Sequence, residues 1–302
     1  MAELEYVFEF GSQDPSTPSV FWLHGATESH HEFVQAVSYF PQDKYHHCLL
    51  DYAGHGVQSK RKFTLKDAQQ DLERAIHIKA HPGEIYIVGL SMGGMTTLTF
   101  LRTRTELVKE RVAKVFITGA GPPPYLSEPF KKVPFFALLV VPFINVFLGA
   151  RKILPLRRFM QRVSGINIPD ELAVDLGKGA RFCSMVTAAA DLRNNFKQPG
   201  EDMIPTDVDV MLCMGSKEFW KGIGKVEESL KPKVTSCQAV IAVGQYHMYT
   251  LGRRILTCSW DLQTPKLFAD LIMSFFEGKE LPDGVVTYQE FVAGREARVK
   301  QG

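Results

Sequence analysis

The stretch EIYIVGLSMGGM, residues 84–95, decides the predicted fold. Residues 85–88 form a short apolar run, which is typical of a strand that is buried on both faces of a sheet. A helical stretch follows at residues 95–101. Gly89-Leu90-Ser91-Met92-Gly93 lies between the two, and its glycines relieve crowding, because larger side chains on either side of the serine would collide across a sharp turn. The pattern predicts a strand–turn–helix unit with Ser91 at the turn.

Ser91 is the candidate nucleophile of the chain. A sharp strand-to-helix turn holds its serine in a strained conformation. The helix that begins behind the serine directs free N–H groups and a positive dipole end towards developing negative charge. A glycine-rich turn without a chemical role is the alternative, because short Gly/Ser patterns also occur by chance. The strand and the helix on either side favour the nucleophile.

Similar strand–helix units recur along the chain. Further apolar runs end at turn residues, at positions 20–23, 47–51, 112–118, 208–214 and 236–243. Helical patterns occur at residues 65–80, 92–104 and 265–277. This alternation predicts an α/β fold with a mostly parallel central sheet and helices on both faces. Residues 5–10 are predicted to form an edge strand.

The alternation breaks between residues 122 and 205. This stretch opens with Pro122-Pro123-Pro124 and contains helix-like pieces at residues 170–176 and 180–194. We therefore expect residues 1–121 and 206–302 to form the core domain. Residues 122–205 are expected to form an inserted lid, or cap, over the carboxyl edge of the sheet.

The bulk composition is that of a globular protein with one large domain and an insertion, or two modest domains. The 302 residues carry a formal net charge of +2 without a basic tail, which argues against nucleic acid as a partner. The five cysteines are widely spaced and form no Cys-x-x-Cys pair, as expected for reduced thiols. The N-terminus is acidic and lacks a secretory signal, so we expect a cytoplasmic location. Nothing in the sequence indicates an oligomeric state.

No metal ion or other cofactor is expected. The pairs His30-His31 and His46-His47 suggest metal ligands, but no cysteine or carboxylate spacing supports such a site. His46 and His47 fall on a predicted strand, where adjacent side chains point to opposite faces. The sequence also lacks a glycine-rich P-loop motif for nucleotide phosphates.

Three motifs resemble those of the α/β-hydrolase superfamily, particularly its lid-bearing branch of monoacylglycerol lipases and related esterases. They are Leu23-His24-Gly25-Ala26 after the first core strand, Asp51-Tyr52-Ala53-Gly54-His55-Gly56 after the second, and Gly89-Leu90-Ser91-Met92-Gly93-Gly94 after the third. The resemblance spans the chain, except that residues 122–205 resemble a lid in position only. It implies an α/β-hydrolase fold and a serine hydrolase activity.

The resemblance also implies an oxyanion hole. Acyl transfer passes through a tetrahedral oxyanion, which two backbone N–H groups should bind. One comes from Met92, directly after the nucleophile, and the second is placed at Ala26. His24 and His55 are expected to be structural residues, with residues 51–56 supporting the floor of the site.

The catalytic base is predicted at His247. In this fold the catalytic residues follow the chain order serine, acid, histidine, and the histidine sits in a loop after the last core strand. Residues 239–243 form that strand, and His247 is the only histidine after His81. The alternative is a protein that has lost catalysis and carries His247 on a surface loop.

Glu218 is the preferred acid. It follows the predicted strand at residues 208–214, where the superfamily commonly has Gly-x-x-Asp and this chain has Gly215-Ser216-Lys217-Glu218. Asp191 in the insertion is a weaker rival. The other nearby carboxylates are expected at the opposite edge of the sheet or in solvent. They are Asp207 and Asp209 before the strand, and Glu227 and Glu228 on the following helix.

The insertion contains an apolar, aromatic stretch at residues 133–150 that is flanked by lysine and arginine. We expect Phe135, Phe136 and Phe143 to line a hydrophobic acyl pocket. Trp220 is expected either at the border of this pocket or packed under its own helix. Docking of the lid on a membrane surface is the weaker alternative, and prolines interrupt the run too often for a transmembrane span. The pocket favours a hydrophobic ester, lactone or thioester as substrate.

Two other kinds of function fit the same residues. A triad of this type can also cleave carbon–carbon bonds or catalyse lyase, cyclisation or acyl-transfer steps. A pocket without turnover would make the chain a ligand-binding protein, although the intact serine, acid and histidine argue against that.

Overall fold

An eight-stranded sheet forms the centre of the computed structural model, which describes residues 4–26, 28–120, 182–197, 202–216, 220–245 and 264–301. In chain order the strands are β1 (Val7–Gly11), β2 (Ser19–Leu23), β3 (His46–Leu50), β4 (Ile85–Leu90), β5 (Val112–Thr118), β6 (Asp209–Gly215), β7 (Ser236–Ala242) and β8 (Val285–Thr287). They lie side by side in the order β1-β3-β2-β4-β5-β6-β7-β8.

The six inner strands are parallel, and the two edge strands are antiparallel to their neighbours. This confirms the predicted mostly parallel sheet and the edge strand near residues 5–10, whereas β8 was not predicted. Because the inner strands are parallel, their carboxyl ends meet at one edge of the sheet. Loops at that edge are the usual position of ligand sites in open α/β sheets.

Helices cover both faces of the sheet, as predicted. Among the described residues, the α-helices are α1 (His31–Val37), α2 (Leu65–Lys79), α3 (Met92–Thr103), α4 (Thr105–Arg111), α5 (Phe182–Asn195), α6 (Ile223–Leu230), α7 (Pro265–Glu277) and α8 (Tyr288–Gln301). Helices α1 and α7 contribute to one hydrophobic core, and α2, α3 and α6 contribute to the other.

Strand β2 shows why the inner strands are apolar without alternation. Its Phe21 and Leu23 pack into the core on the α2 and α3 side, while Val20 and Trp22 pack into the core on the α1 and α7 side. All four side chains are fully buried. A strand that is covered on both faces has no solvent-facing positions for polar residues.

The last helix of the predicted insertion packs against the core. Ala188 and Leu192 of α5 are buried in the same core as α2. Asp191 Oδ2 accepts a hydrogen bond of 2.7 Å from Leu65 N–H, which is one of the unpaired donors at the start of α2. Residues 121–181 lie outside the described residues, so the division of the chain at residues 122 and 205 stays a prediction.

Glu227 corrects one expectation. It was expected to be solvated, but it is buried on α6, and its Oε1 accepts a hydrogen bond of 3.1 Å from Ala239 N–H of β7. Its Oε2 accepts another, of 3.2 Å, from the Gln289 side chain of α8. Strand β8 pairs only with residues 240–242, so the carboxylate replaces the missing strand partner at Ala239. Glu228 is exposed, as expected.

His46 and His47 point to opposite faces of β3, as predicted. His46 Nε2 faces Glu9 Oε1 at 3.2 Å, whereas Trp22 Nε1–H donates to His47 Nδ1 on the other face of β3, at 3.0 Å. Cys48, Cys213 and Cys237 carry free thiols. Within the described ranges, no group of three or more His, Cys, Asp or Glu side chains is placed to hold a metal ion. None of the described helices is long and apolar enough to cross a membrane.

Candidate active site

Ser91 occupies a strained turn between β4 and α3. With a φ of 52° and a ψ of −108°, it is the one described non-glycine residue that has a positive φ. Residues with a side chain rarely adopt this backbone conformation. Its N–H donates to the carbonyl of Thr118 on the neighbouring strand β5, at 2.8 Å, and its carbonyl accepts from Met95 N–H in the first turn of α3, at 2.9 Å. The strain is therefore held in place from both sides of the serine.

The flanking glycines are required by close contacts, as the sequence predicted. A Cβ atom on Gly93 would lie 1.9 Å from the carbonyl oxygen of Leu23, at the end of β2. One on Gly89 would lie 2.7 Å from Thr97 Oγ1 and 2.8 Å from the carbonyl oxygen of Gly93. These distances are far below van der Waals contact, so α3 begins as close to the sheet as a backbone without side chains allows.

The loop after β2 approaches the serine. A Cβ atom on Gly25 would lie 3.8 Å from Ser91 Cβ, which places the predicted oxyanion donor Ala26 one residue from that contact. No acceptor for Ala26 N–H occurs among the residues that the structure describes. Met92, the other predicted donor, is the first residue of α3, and its N–H has no acceptor within the helix. The structure brings Ser91, Met92 and the Gly25–Ala26 loop together.

Gly25 is held through both of its backbone groups. His24 Nδ1 lies 2.7 Å from the carbonyl oxygen of Gly25, and Gly25 N–H donates to Glu32 Oε2 at 2.9 Å. His24 Nε2 accepts from Tyr52 N–H at 3.3 Å, so Nδ1 carries the proton of a neutral ring. Burial, together with the neighbouring His55, lowers the pKa of His24 to about 3. This confirms the structural role predicted for His24.

The turn after β3 contacts the Gly25–Ala26 loop, in keeping with the supporting role expected for residues 51–56. Asp51 Oδ1 accepts from His30 N–H at 2.7 Å, and Asp51 Oδ2 accepts from Val57 N–H at 2.9 Å. Burial alone would raise the pKa of Asp51, but hydrogen bonds from His30 and nearby histidine charges hold it at about 2. His55 of this turn reaches the loop directly, with Nε2 at 2.8 Å from the carbonyl oxygen of Ala26.

The predicted base His247 and acid Glu218 lie outside the described residues, but the chain that leads to both is described. Ser216, after β6, donates through its N–H to the carbonyl of Ala242 at the end of β7, at 3.0 Å. Ser216 Oγ accepts from Gly244 N–H at 2.8 Å. The two loops therefore leave adjacent strands side by side, at the carboxyl edge that also carries Ser91.

The rival carboxylates have other contacts. Asp191 Oδ2 accepts from Leu65 N–H at the start of α2, and its Oδ1 accepts at 2.9 Å from the Asn195 side chain of its own helix, so both oxygens are engaged. Asp209 begins β6 at the amino edge, as expected, and accepts from Ser236 Oγ at 2.5 Å. Like Glu227, these two carboxylates have described partners away from Ser91.

Trp220 lies against the C-terminal helix. Its ring centroid is 5.1 Å from that of Phe291 of α8, in an edge-to-face arrangement, and Arg295 lies 5.4 Å from the ring centroid. The packing alternative had placed Trp220 under its own helix, whereas these contacts are with α8. Its place at the border of a pocket stays a prediction. Phe135, Phe136 and Phe143 lie outside the described residues.

Two contacts of the site were not foreseen. Glu32 binds Gly25 N–H from the start of α1, and its position seven residues after the glycine follows no motif. The contact between His55 and Ala26 joins two loops that are 29 residues apart in the chain. The Asp51-to-Gly56 motif indicated a supporting turn, but it did not indicate that this turn contacts the carbonyl of Ala26.

Comparisons with known proteins agree with this geometry. Residues 18–165 match the sequence model of the alpha/beta hydrolase fold family. A search of curated protein sequences finds no match. Among solved structures, the fold is similar to MGS-M2, an alpha/beta hydrolase enzyme from a Medee basin deep-sea metagenome library, with a TM-score of 0.64, 14% identity, and coverage of 92% of this chain and 95% of that chain.

Two esterase structures are also similar. The esterase EaEST from Exiguobacterium antarcticum aligns with a TM-score of 0.60 and 18% identity over 90% of this chain and 95% of its own. A thermophilic esterase from Thermogutta terrifontis aligns with a TM-score of 0.60 and 15% identity over 90% and 92%, respectively. At these identities the similarity shows the fold. Together with the nucleophile turn and the family match, it establishes that the chain belongs to the α/β-hydrolase superfamily.

Proposed function

We propose that the protein is a serine hydrolase that cleaves a hydrophobic ester, lactone or thioester. The observation that carries the proposal is the turn at Ser91, which is strained, enclosed by glycines and faced by the Gly25–Ala26 loop. Strained backbone conformations of this kind cluster at active sites, where they fix the position of a side chain. The esterase structures with the same fold support ester chemistry.

In the proposed mechanism, Ser91 Oγ attacks the substrate carbonyl while His247 accepts its proton. Glu218 orients His247 and stabilises the imidazolium. The N–H groups of Ala26 and Met92 bind the tetrahedral oxyanion. Collapse of this intermediate releases the leaving group, which takes the proton from His247, and leaves an acyl-enzyme. Water, activated by His247, then hydrolyses the acyl-enzyme and frees Ser91.

The substrate class rests on the aromatic composition of the insertion. In the proposed complex, Phe135, Phe136 and Phe143 form the wall of an acyl pocket, with Trp220 at its border. Each methylene group of an acyl chain that leaves water for an apolar wall contributes about 0.8 kcal/mol. We therefore expect the value of kcat/KM for p-nitrophenyl esters to rise with acyl length over the first few carbons.

Steady-state hydrolysis of such esters tests the triad. Ser91→Ala and His247→Gln are expected to lower kcat by roughly 10⁴-fold or more, and Glu218→Gln by less. Asp191→Asn is the matched control for the acid, because Asp191 is the rival carboxylate and is bound at the start of α2. Activity that survives Glu218→Gln but not Asp191→Asn would reassign the acid. Full activity in Ser91→Ala would overturn the proposal.

A further inference from the structure

His55 presents both ring nitrogens to backbone carbonyls. Nε2 lies 2.8 Å from the carbonyl oxygen of Ala26, and Nδ1 lies 3.1 Å from that of Ala53. The ring is fully buried. Carbonyl oxygens only accept hydrogen bonds, so a neutral imidazole can satisfy just one of them. A buried histidine in this position is costly to maintain, and packing alone does not require two polar atoms there.

The surroundings keep the ring neutral and fix its direction. Burial lowers the pKa of His55, against the opposing effect of the two carbonyls and Asp51. The His24 ring centroid is 5.1 Å away, and Phe63 contacts the ring edge-to-face at 6.2 Å. Because the contact with the Ala26 carbonyl is the shorter of the two, we assign the proton of the neutral ring to Nε2. The backbone of the ring's own residue is also fixed, because His55 N–H donates to the carbonyl of Tyr52 at 2.9 Å.

The two histidines together hold both peptide groups of Ala26. A trans peptide is planar, so its N–H points away from its C=O. His24 holds the carbonyl of Gly25, and this directs Ala26 N–H to the opposite side. His55 holds the carbonyl of Ala26 itself, and so fixes the next peptide group. With both carbonyls bound, Ala26 cannot rotate about φ or ψ without breaking a hydrogen bond.

We propose that His55 is a positioning residue of the oxyanion hole, which keeps Ala26 N–H aligned by donating Nε2–H to the Ala26 carbonyl. The inference rests on the proposed function, because it assigns His55 a role in the same site. It adds a residue whose effect appears in the transition state, where the oxyanion forms, and not in the binding of the substrate. A misplacement of about 1 Å can cost about 10²-fold in rate.

Two variants separate the hydrogen bond from packing. His55→Gln keeps an N–H donor at a similar reach, whereas His55→Leu has similar bulk and no donor. His47→Leu is the matched control, since His47 is equally buried but contacts Trp22 instead of the oxyanion loop. Steady-state hydrolysis of a p-nitrophenyl ester gives kcat and KM, and thermal unfolding of each variant measures the structural contribution of the side chain.

The inference predicts that His55→Leu lowers kcat by about 10- to 100-fold while KM stays within about twofold. His55→Gln should recover most of that loss, and His47→Leu should lose stability without a change in kcat. If Leu and Gln lower kcat equally, or if neither does, His55 has only a structural role. If His55→Leu does not fold, the shorter His55→Asn replaces it. A lower kcat in His55→Asn than in His55→Gln then supports the proposal, and equal values of kcat contradict it. A wild-type protein without hydrolysis contradicts the proposed function instead.

Discussion

At the scale of single residues, the strained turn at Ser91 depends on what its neighbours lack. Gly93 lies so close to the Leu23 carbonyl that only a hydrogen atom fits where another residue would carry its Cβ. The sequence predicted the crowding, because glycines on both sides of a serine between a strand and a helix indicate that larger side chains would collide there. It could not predict the partner atom, since Leu23 belongs to another strand and is 70 residues away in the chain.

Gly93→Ala tests this contact. A Cβ atom placed 1.9 Å from a backbone oxygen must displace α3 or β2, so we expect a loss of about 3 kcal/mol or more in the free energy of unfolding. Gly294→Ala is the control, because Gly294 lies in α8 with open space around it and alanine there should add about 0.5–1 kcal/mol. Urea denaturation measures both. Equal effects of the two substitutions would show that Gly93 is not crowded.

At the scale of helices and strands, the start of α2 shows how a segment of the insertion is attached to the core. Thr64 Oγ1 accepts from Asp67 N–H at 3.0 Å as the N-cap, and Asp191 of α5 takes the neighbouring Leu65 N–H. Both helices were predicted from their patterns to within two residues at each end. The contact between the two helices was not predicted, because the sequence does not indicate which helix end an aspartate on another helix will bind.

Asp191→Ala tests the attachment. The substitution leaves Leu65 N–H without its carboxylate acceptor, and we expect a loss of about 1 kcal/mol in the free energy of unfolding. Asp191→Asn keeps an oxygen acceptor and should lose less. Thermal unfolding compares the variants, with ester hydrolysis measured alongside. A large loss of kcat in Asp191→Asn without a loss of stability would contradict the capping role.

The elements that were missed have weak patterns. Strand β8 has three residues, too few for any alternation to be visible. Helix α8 has few apolar residues, and it is held mainly by Tyr288 and Phe291, which contact Trp220. Glu227 was misjudged for a related reason, since a carboxylate on an amphipathic helix is usually solvated, and here the short β8 leaves a backbone N–H for it to bind.

At the scale of the whole molecule, buried neutral histidines link folding to pH. Burial lowers the pKa of His47 to about 3, and burial together with the neighbouring His55 does the same for His24. In the unfolded chain a histidine titrates near 6.5. Between these values the unfolded state binds protons that the folded state does not. The stability that the two rings contribute is therefore complete above about pH 6.5 and is lost as pH falls from there towards 3.

His47→Asn tests this linkage. Asparagine retains an oxygen that can accept from Trp22 Nε1–H but cannot be protonated. Each such histidine contributes about 1.4 kcal/mol per pH unit to the slope of stability, so the variant should lose less stability than the wild type between pH 6 and pH 4.5. Urea denaturation at several pH values gives the two slopes. Parallel slopes would mean that His47 titrates normally in the folded protein.

The proposed chemistry depends first on Ser91 as the nucleophile. Reaction of the purified protein with a fluorophosphonate, followed by peptide mapping with mass spectrometry, tests it directly. We predict one phosphonyl adduct on the peptide that contains Ser91, and no adduct in the Ser91→Ala variant. An adduct on another residue of the wild type, or labelling of Ser91→Ala at the wild-type rate, would contradict the assignment of Ser91 as the nucleophile.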